Sequence, residues 1–273
     1  MNRLGIFATV IFLFIVISVS LIAPSFDQRD LVRVHLGNQN LKPSPQHILG
    51  TDPGGRDMLA LIVVGARNSF FIAFFVTITS SILGVFIGIV SGFFGGIIDS
   101  IIMRLLDFFS MIPNIMLIIV IISLLPNYSP LTFSIVMACI NWTSTARFIR
   151  LKTLQQTALD YVFASVTMGT PKSIIMFREI LPNISPSIIV FCTISLANNM
   201  GLETALTFLG FGLPANAPSL GTLISHAAMP DALLTRPWQW LPSATIIFIM
   251  MLLIHIIGQN LKANSQYSGS NLH

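Results

Sequence analysis

From Ser69 to Ile98 the chain carries no charged side chain. Wound as an α-helix at 1.5 Å per residue, about thirty residues extend roughly 45 Å, more than the hydrocarbon core of a bilayer, about 30 Å, requires. A helix suits that setting because it satisfies its own backbone polar groups, which lipid cannot do. The remainder of the chain has the same character. Of its 273 residues 54% are hydrophobic and 9% charged, and the mean hydropathy is +0.84. A soluble domain carries about 25% charged residues, so this chain lacks the polar surface to enclose a water-soluble core.

Uncharged or nearly uncharged runs recur, and they predict an all-α polytopic membrane protein with six transmembrane helices. The predicted spans are Leu4 to Ala23, part of Ser69 to Ile98, about Arg104 to Leu125, Leu131 to Ala146, Ile184 to Phe208 and Trp240 to Leu261. The first run is longer than the apolar region of a secretory signal, and Leu21-Ile22-Ala23 before Pro24 lacks a small-x-small cleavage pattern. It is therefore expected to stay as a span. Asp27 to Arg67 is polar and proline-containing, without a sustained apolar period, and reads as extramembranous. Gly84, Gly88 and Gly92 fall on one helical face, which either admits a close helix neighbour or reflects the general frequency of glycine in membrane helices. Arg104 and Asp107 are spaced to pair with each other.

With six spans both termini share one side. A cytoplasmic N-terminus puts Arg3, Arg104, Arg147, Arg150, Lys152, Lys172, Arg178 and Lys262 inside, against Arg29, Arg33, Lys42, Arg56, Arg67 and Arg236 outside, the orientation favoured by the positive-inside rule. The net charge of +4 resides in loops without aromatic interleaving and does not describe a nucleic-acid surface. Cys139 and Cys192 lie in apolar runs, and the histidines His35, His47, His226, His255 and His273 are scattered, so no metal-ligand spacing is present.

Between the fourth and fifth spans lie about thirty residues, Arg150 to Asn183, too many for a simple turn. Helix formers run from Thr153 to Met168, and Gly169 suits the left-handed position that stops a helix. Thr170 and Pro171 suit the cap and first turn of a second helix, which is expected to stop before Leu181-Pro182. These residues spell a helix, a sharp glycine turn and a helix.

Here the chain resembles a known family. Asp160-Tyr161-Val162-Phe163-Ala164-Ser165, with Met168-Gly169-Thr170 and Ile180-Leu181-Pro182-Asn183, is similar to the "EAA" loop of ABC-importer permeases. Leu49-Gly50-Thr51-Asp52-x-x-Gly55-Arg56-Asp57, followed by Gly65-Ala66-Arg67-x-Ser69, resembles the segment before the second span in permeases for oligopeptides, dipeptides and nickel. Leu202-Glu203-x-x-Leu206-Thr207-Phe208-Leu209-Gly210-Phe211-Gly212, then Pro218-Ser219 and Gly221, is similar to the end of their fifth span. The likeness runs from about residue 49 to residue 262. Departures are Phe163 for the usual Glu, Ser165 for the second Ala, Leu220 for a common Trp and Gln259 for a usual Asp.

The resemblance implies a type I ABC-importer permease fold. Residues 1–66 would hold the first transmembrane helix and extracytoplasmic loop, and residues 67–273 the permease domain with a cytoplasmic coupling loop at 150–183. It implies that Asp160, Tyr161, Phe163, Ala164, Ser165, Met168, Gly169, Thr170, Leu181 and Pro182 dock on a cytoplasmic ATPase. Asp52, Gly55, Arg56, Asp57, Arg67 and Glu203 are family-motif or translocation-path candidates. Glu203 is a functional candidate by virtue of its membrane depth, or else reaches the outer interface. Expected partners are a second homologous permease, two ATPase subunits or domains, an extracytoplasmic substrate-binding protein and membrane lipid. No Gly-x-x-x-x-Gly-Lys-Ser/Thr loop occurs, so the chain is expected to hold no catalytic, cofactor or metal site, with ATP and Mg at the partner ATPases. An ion-gradient-driven secondary transporter is the alternative, for which an internal repeat and central charges would be expected.

Overall fold

The computed structural model describes residues 33–214 and 217–270, with a few helical positions between 7 and 18. Apart from those positions the expected first span, Leu4 to Ala23, lies outside the described residues. No strand occurs among them; the elements are helices joined by turns.

Helix α1 spans Met58–Phe94. Asp57 caps it from an extended backbone, its carboxylate accepting the Ala60 N–H at 3.1 Å and so satisfying one of the orphan donors of the first turn. Gly95 and Gly96, both at positive φ, end it and turn the chain into α2, Gly96–Ser110. Helix α3 follows at Asn114–Ser123. The expected third span, about Arg104 to Leu125, falls on this pair, which is bent by 73°. Pro113 sits at the break with φ −55° and ψ 127°; it cannot donate to the helix before it and constrains the preceding residue away from helical geometry.

Helix α4 is Pro130–Thr157, capped by Ser129, which accepts the Thr132 N–H at 3.2 Å. It continues past the expected end at Ala146 as one rod. A short helix α5, Asp160–Thr167, begins after Leu159, which is extended, so the expected helix from Thr153 to Met168 is divided there. Helix α6 runs Lys172–Phe208. Helices α7, Leu220–Ile224, and α8, Pro230–Thr235, precede α9, Leu241–Ser270.

Pro182 does not stop the helix that precedes it, contrary to expectation. Residues Ile175–Ile180 widen into a π-helical stretch, a register change that accommodates a residue unable to donate. Pro186 lies farther inside α6, and the carbonyl it leaves without a backbone donor, that of Pro182, accepts the Ser185 hydroxyl at 2.8 Å. Thus α6 is continuous from the α5 turn to the opposite end of the bundle.

Three of these helices, α1, α6 and the Leu241–Ala263 part of α9, are long and apolar enough to cross a membrane, and α2 with α3 makes a fourth if the bent pair is one span. Helix α4 is as long as a span but more polar, carrying Asn141, Ser144, Arg147, Arg150 and Lys152. The glycine face of α1 is what brings it against α4. A Cβ on Gly88 would stand 2.7 Å from the Ala146 carbonyl oxygen and 2.8 Å from the Ile149 Cβ; one on Gly92 would stand 2.7 Å from the Thr153 Cβ. Close approach is therefore the role of these glycines, and the two backbones meet where a methyl group would not fit.

Apolar side chains fill the bundle in tiers. Ile89, Ile149, Val162, Ile175, Ile180 and Ile184 close the end that carries α5. Ile72, Val76, Phe133, Met137 and Leu206 occupy the middle, and Met58, Leu61, Ile62 and Leu223 the opposite end. Charged pairs tie α4 to α2: Arg150 Nε and Nη2 donate to the two oxygens of Asp99, each at 2.5 Å, and Arg147 reaches Asp107 at 3.0 Å. Asp107 thus pairs across helices rather than with Arg104 on its own, because the close α4 wall offers a better-placed cation.

Candidate functional site

The segment between α4 and α6 is built around Gly169. Its φ is +78°, the left-handed conformation that L side chains adopt only at a cost. Two bonds define the turn: the Thr170 N–H reaches the Ser165 carbonyl at 3.0 Å and the Gly169 N–H the Val166 carbonyl at 3.1 Å, the nested pair of a Schellman cap. The second helix starts one residue later than expected, with Pro171 rather than Thr170 in the cap position.

Val162 anchors α5 by inserting into the apolar tier with Ile175, Met176 and Ile180. Ser165 donates to Glu179 Oε2 at 2.8 Å, Tyr161 donates to Gln156 Oε1 at 2.9 Å, and Asn183 Nδ2 donates to the Tyr161 oxygen at 3.2 Å. The opposite face of α5 is bare. Phe163 is 73% exposed, Val166 53% and Met168 76%, with Asp160 and Ala164 exposed beside them and Leu181 half-buried at the base. A short helix held on one side by a core residue and three side-chain bonds, and apolar on the other, is a rigid knob at one end of the bundle. Thr170 and Pro182 complete the same turn-and-helix unit.

The motif residues 49–57 lie at the other end. Asp52 is fully buried; it accepts the Arg56 backbone N–H at 2.8 Å and its Nε at 2.7 Å. Gly55, at φ +75°, makes the turn between them. Asp57, besides capping α1, lies 2.8 Å from His47 Nδ1. The loop is bolted to the segment before α9 by Gln239, whose Nε2 donates to Asn40 Oδ1 at 2.8 Å and to the Thr51 carbonyl at 3.1 Å. Arg67 lies over the Phe71 ring at 5.8 Å.

Glu203 is buried at 0% exposure, enclosed by the surrounding helices. It accepts the hydroxyls of Ser69 at 2.9 Å and Thr207 at 3.0 Å. Ser69 in turn accepts the Leu220 N–H at 3.1 Å, so one carboxylate pins α1, α6 and α7 together. A second Schellman cap ends α6 there: Gly210, at φ +85°, and Phe211 return their N–H groups to Thr207 at 3.0 Å and Leu206 at 2.9 Å. His226 sits by the Asp52–Arg56 pair, and burial, with a smaller contribution from the Arg56 charge, lowers its pKa from the ordinary 6.5 against the opposing pull of Asp52.

Sequence reading missed a ladder of asparagines across the middle. Asn114 Nδ2 donates to Asn141 Oδ1 at 3.4 Å, Asn141 Nδ2 to Asn199 Oδ1 at 3.1 Å, and Asn199 Nδ2 to Thr77 Oγ1 at 2.9 Å, crossing α3, α4, α6 and α1. The available signal was an amide at membrane depth in otherwise apolar runs. Among the described residues no three His, Cys, Asp or Glu side chains come together to cage a metal.

The fold and these sites define a multi-pass helical membrane protein whose polar side chains make structural bonds and whose α5 end carries an apolar knob. The chain belongs to the family described as binding-protein-dependent transport system inner membrane component, matching it over residues 84–263. It is 40% identical over 262 residues to the oligopeptide transport system permease protein OppC of Lactococcus lactis subsp. cremoris, covering 96% of this chain and 89% of that protein. It is 34% identical to OppC of Bacillus subtilis over 96% of this chain and 84% of that one, and 31% identical to the dipeptide transport system permease protein DppC of the same organism, over 96% and 81%. It is thus an ABC-importer permease of the oligopeptide and dipeptide family, a transport subunit rather than an enzyme.

Proposed function

We propose that this chain forms half of the translocation path of an ATP-driven peptide importer, with peptides rather than nickel or a metal chelate as its cargo. The support is the 40% identity over 96% of the chain to a protein named for oligopeptide transport. Membership of a binding-protein-dependent family favours this reading over an ion-gradient-driven carrier. The bundle end carrying α5 faces the cytoplasm together with both termini, and the 49–57 loop faces outward toward a substrate-binding protein. The companion permease completes the path, and two ATPase subunits bind ATP and Mg.

The exposed Phe163, Val166 and Met168 are the contact of α5 with an ATPase groove. Burying such side chains stabilises the contact by about 2 kcal/mol each at most, while Val162 and the Ser165–Glu179 bond transmit the push into α6. Phe163 suits that role without the usual Glu, by trading a charged contact for an apolar one.

The test is transport by the complete complex in proteoliposomes, with the binding protein and ATP on their proper sides. ATP-dependent accumulation of a labelled oligopeptide, absent when the ATPases are omitted, is the expected result. Uptake by this chain alone, driven by an ion gradient, would overturn the proposal, as would nickel accumulation without peptide transport.

A further inference from the structure

The asparagine ladder borders a cavity of about 300 Å³ between α4 and α6, lined by Asn141, Ser144, Ser195, Asn198 and Asn199 among others. A second cavity of about 340 Å³, nearer the α5 end, is lined by Phe148, Lys152, Ser187, Phe191 and Lys262. The two share Phe191 and Ile194, and Phe191 stacks on Phe148 with ring centroids 4.5 Å apart. Positions 187, 191, 194, 195, 198 and 202 lie along one face of α6, and 141, 144, 145, 148 and 152 along one face of α4, following the three- and four-residue spacing of helix neighbours. The two cavities thus adjoin along one groove between α4 and α6, with the Phe148–Phe191 stack beside their shared wall.

Two facts separate this groove from a helix-packing seam. Asn141 and Asn199 are engaged in the ladder, whereas Ser144, Ser195 and Asn198 make no side-chain hydrogen bond among the described residues, and Ser144 and Asn198 are exposed. Free hydroxyl and amide groups at membrane depth are costly against lipid tails. Among the described residues, the cavity nearer the ladder is also lined by no charged side chain. Uncharged donors and acceptors match the alternating N–H and C=O groups of an extended peptide and discriminate little among its side chains.

We infer that this groove is the cargo wall of the subunit, with Ser144, Ser195 and Asn198 hydrogen-bonding the backbone of a passing peptide. The inference rests on the peptide-importer reading above. Because the contacts at the ladder end are few and neutral, binding there is weak, as a path that must release its cargo requires.

The test uses the complete complex in proteoliposomes, with tritiated tetra-alanine as probe. Asn198→Leu with Ser144→Val is expected to lower tetra-alanine uptake per ATP hydrolysed about five- to tenfold, from the loss of one or two hydrogen bonds, while stimulation of ATP hydrolysis by the binding protein stays unchanged. A photoreactive benzophenone side chain at Ser195 is expected to form an adduct with the tritiated peptide during turnover. Unchanged uptake per ATP and no adduct, in a complex whose unsubstituted form transports, overturn the groove assignment alone. If the companion permease covers this face instead, the double variant weakens co-purification of the two permeases and the adduct forms with that subunit, which also overturns it. An unsubstituted complex that accumulates no tetra-alanine refutes the peptide reading and the ligand assignment with it.

Discussion

Replacing Gly169 separates backbone strain from steric clash, because a Cβ there would meet nothing within 4 Å while its φ is +78°. Any loss on substitution is therefore the cost of the left-handed conformation, about 1–2 kcal/mol for an ordinary L residue, higher for a β-branched one and lower for Asn, which tolerates that region. The series Gly169→Asn, Gly169→Ala, Gly169→Val should then rank in that order. A penalty of 1–2 kcal/mol corresponds to about a five- to thirtyfold shift away from the nested bonds that Thr170 and Gly169 return to Ser165 and Val166.

The consequence is local. Val162 still holds α5 in the apolar tier, so the spans should form normally, and the turn that orients Phe163, Val166 and Met168 should loosen. The assay is ATPase hydrolysis stimulated by the binding protein in the reconstituted complex, alongside detergent-solubilised yield of the permease. Expected is near-normal yield for all three variants, near-normal coupling for Gly169→Asn and progressive loss through Ala to Val. Equal coupling for Asn and Val would refute the strain argument, because the two differ little in what they touch and greatly in what they cost the backbone.

Gly88→Leu should act in the opposite manner, its helical backbone untouched but its side chain driven into Ala146 and Ile149; severe loss of folded yield is expected by size-exclusion chromatography, and a normal profile would refute the close seam. Asp99→Asn removes the carboxylate that Arg150 grips with two bonds, and thermal unfolding in detergent should report a loss of about 2 kcal/mol. His226 has a lowered pKa from burial, so below the ordinary value of 6.5 the unfolded chain takes up a proton more readily than the folded one. Its neutral form is favourable above that pH, and stability falls as pH drops from there toward the lower folded value; His226→Gln should flatten that part of the stability profile, and an unchanged slope would refute it.

What was legible from residues alone followed what each feature depends on. The Gly169 turn is encoded within a few residues, since left-handed backbone and helix stop are local properties, and its φ is indeed +78°. The apolar runs located α1, α6 and α9, but their lengths depend on neighbours: α4 runs on to Thr157 because α1 and α5 pack along it, and nothing in its polar later half announces that. Pairings were harder again. Arg104 and Asp107 satisfy a helix-spacing rule, yet Asp107 turned to Arg147 on α4, and which cation lies nearest is decided by the glycine seam two helices away.

The prolines show the same boundary most clearly. Pro113 and Pro182 both carry the local instruction to end a helix, and only Pro113 does so. At Pro113 the chain leaves one helix for another at 73°. At Pro182 the buried side chains of Ile175, Met176 and Ile180 are already committed to the tier formed with Ile89, Ile149 and Val162, so stopping the helix would forfeit that burial. The π-helical stretch at Ile175–Ile180 costs less than leaving the tier. The continuous α6 that results therefore carries on one helix both Glu179, which accepts the Ser165 hydroxyl of α5, and Asn199 of the asparagine ladder.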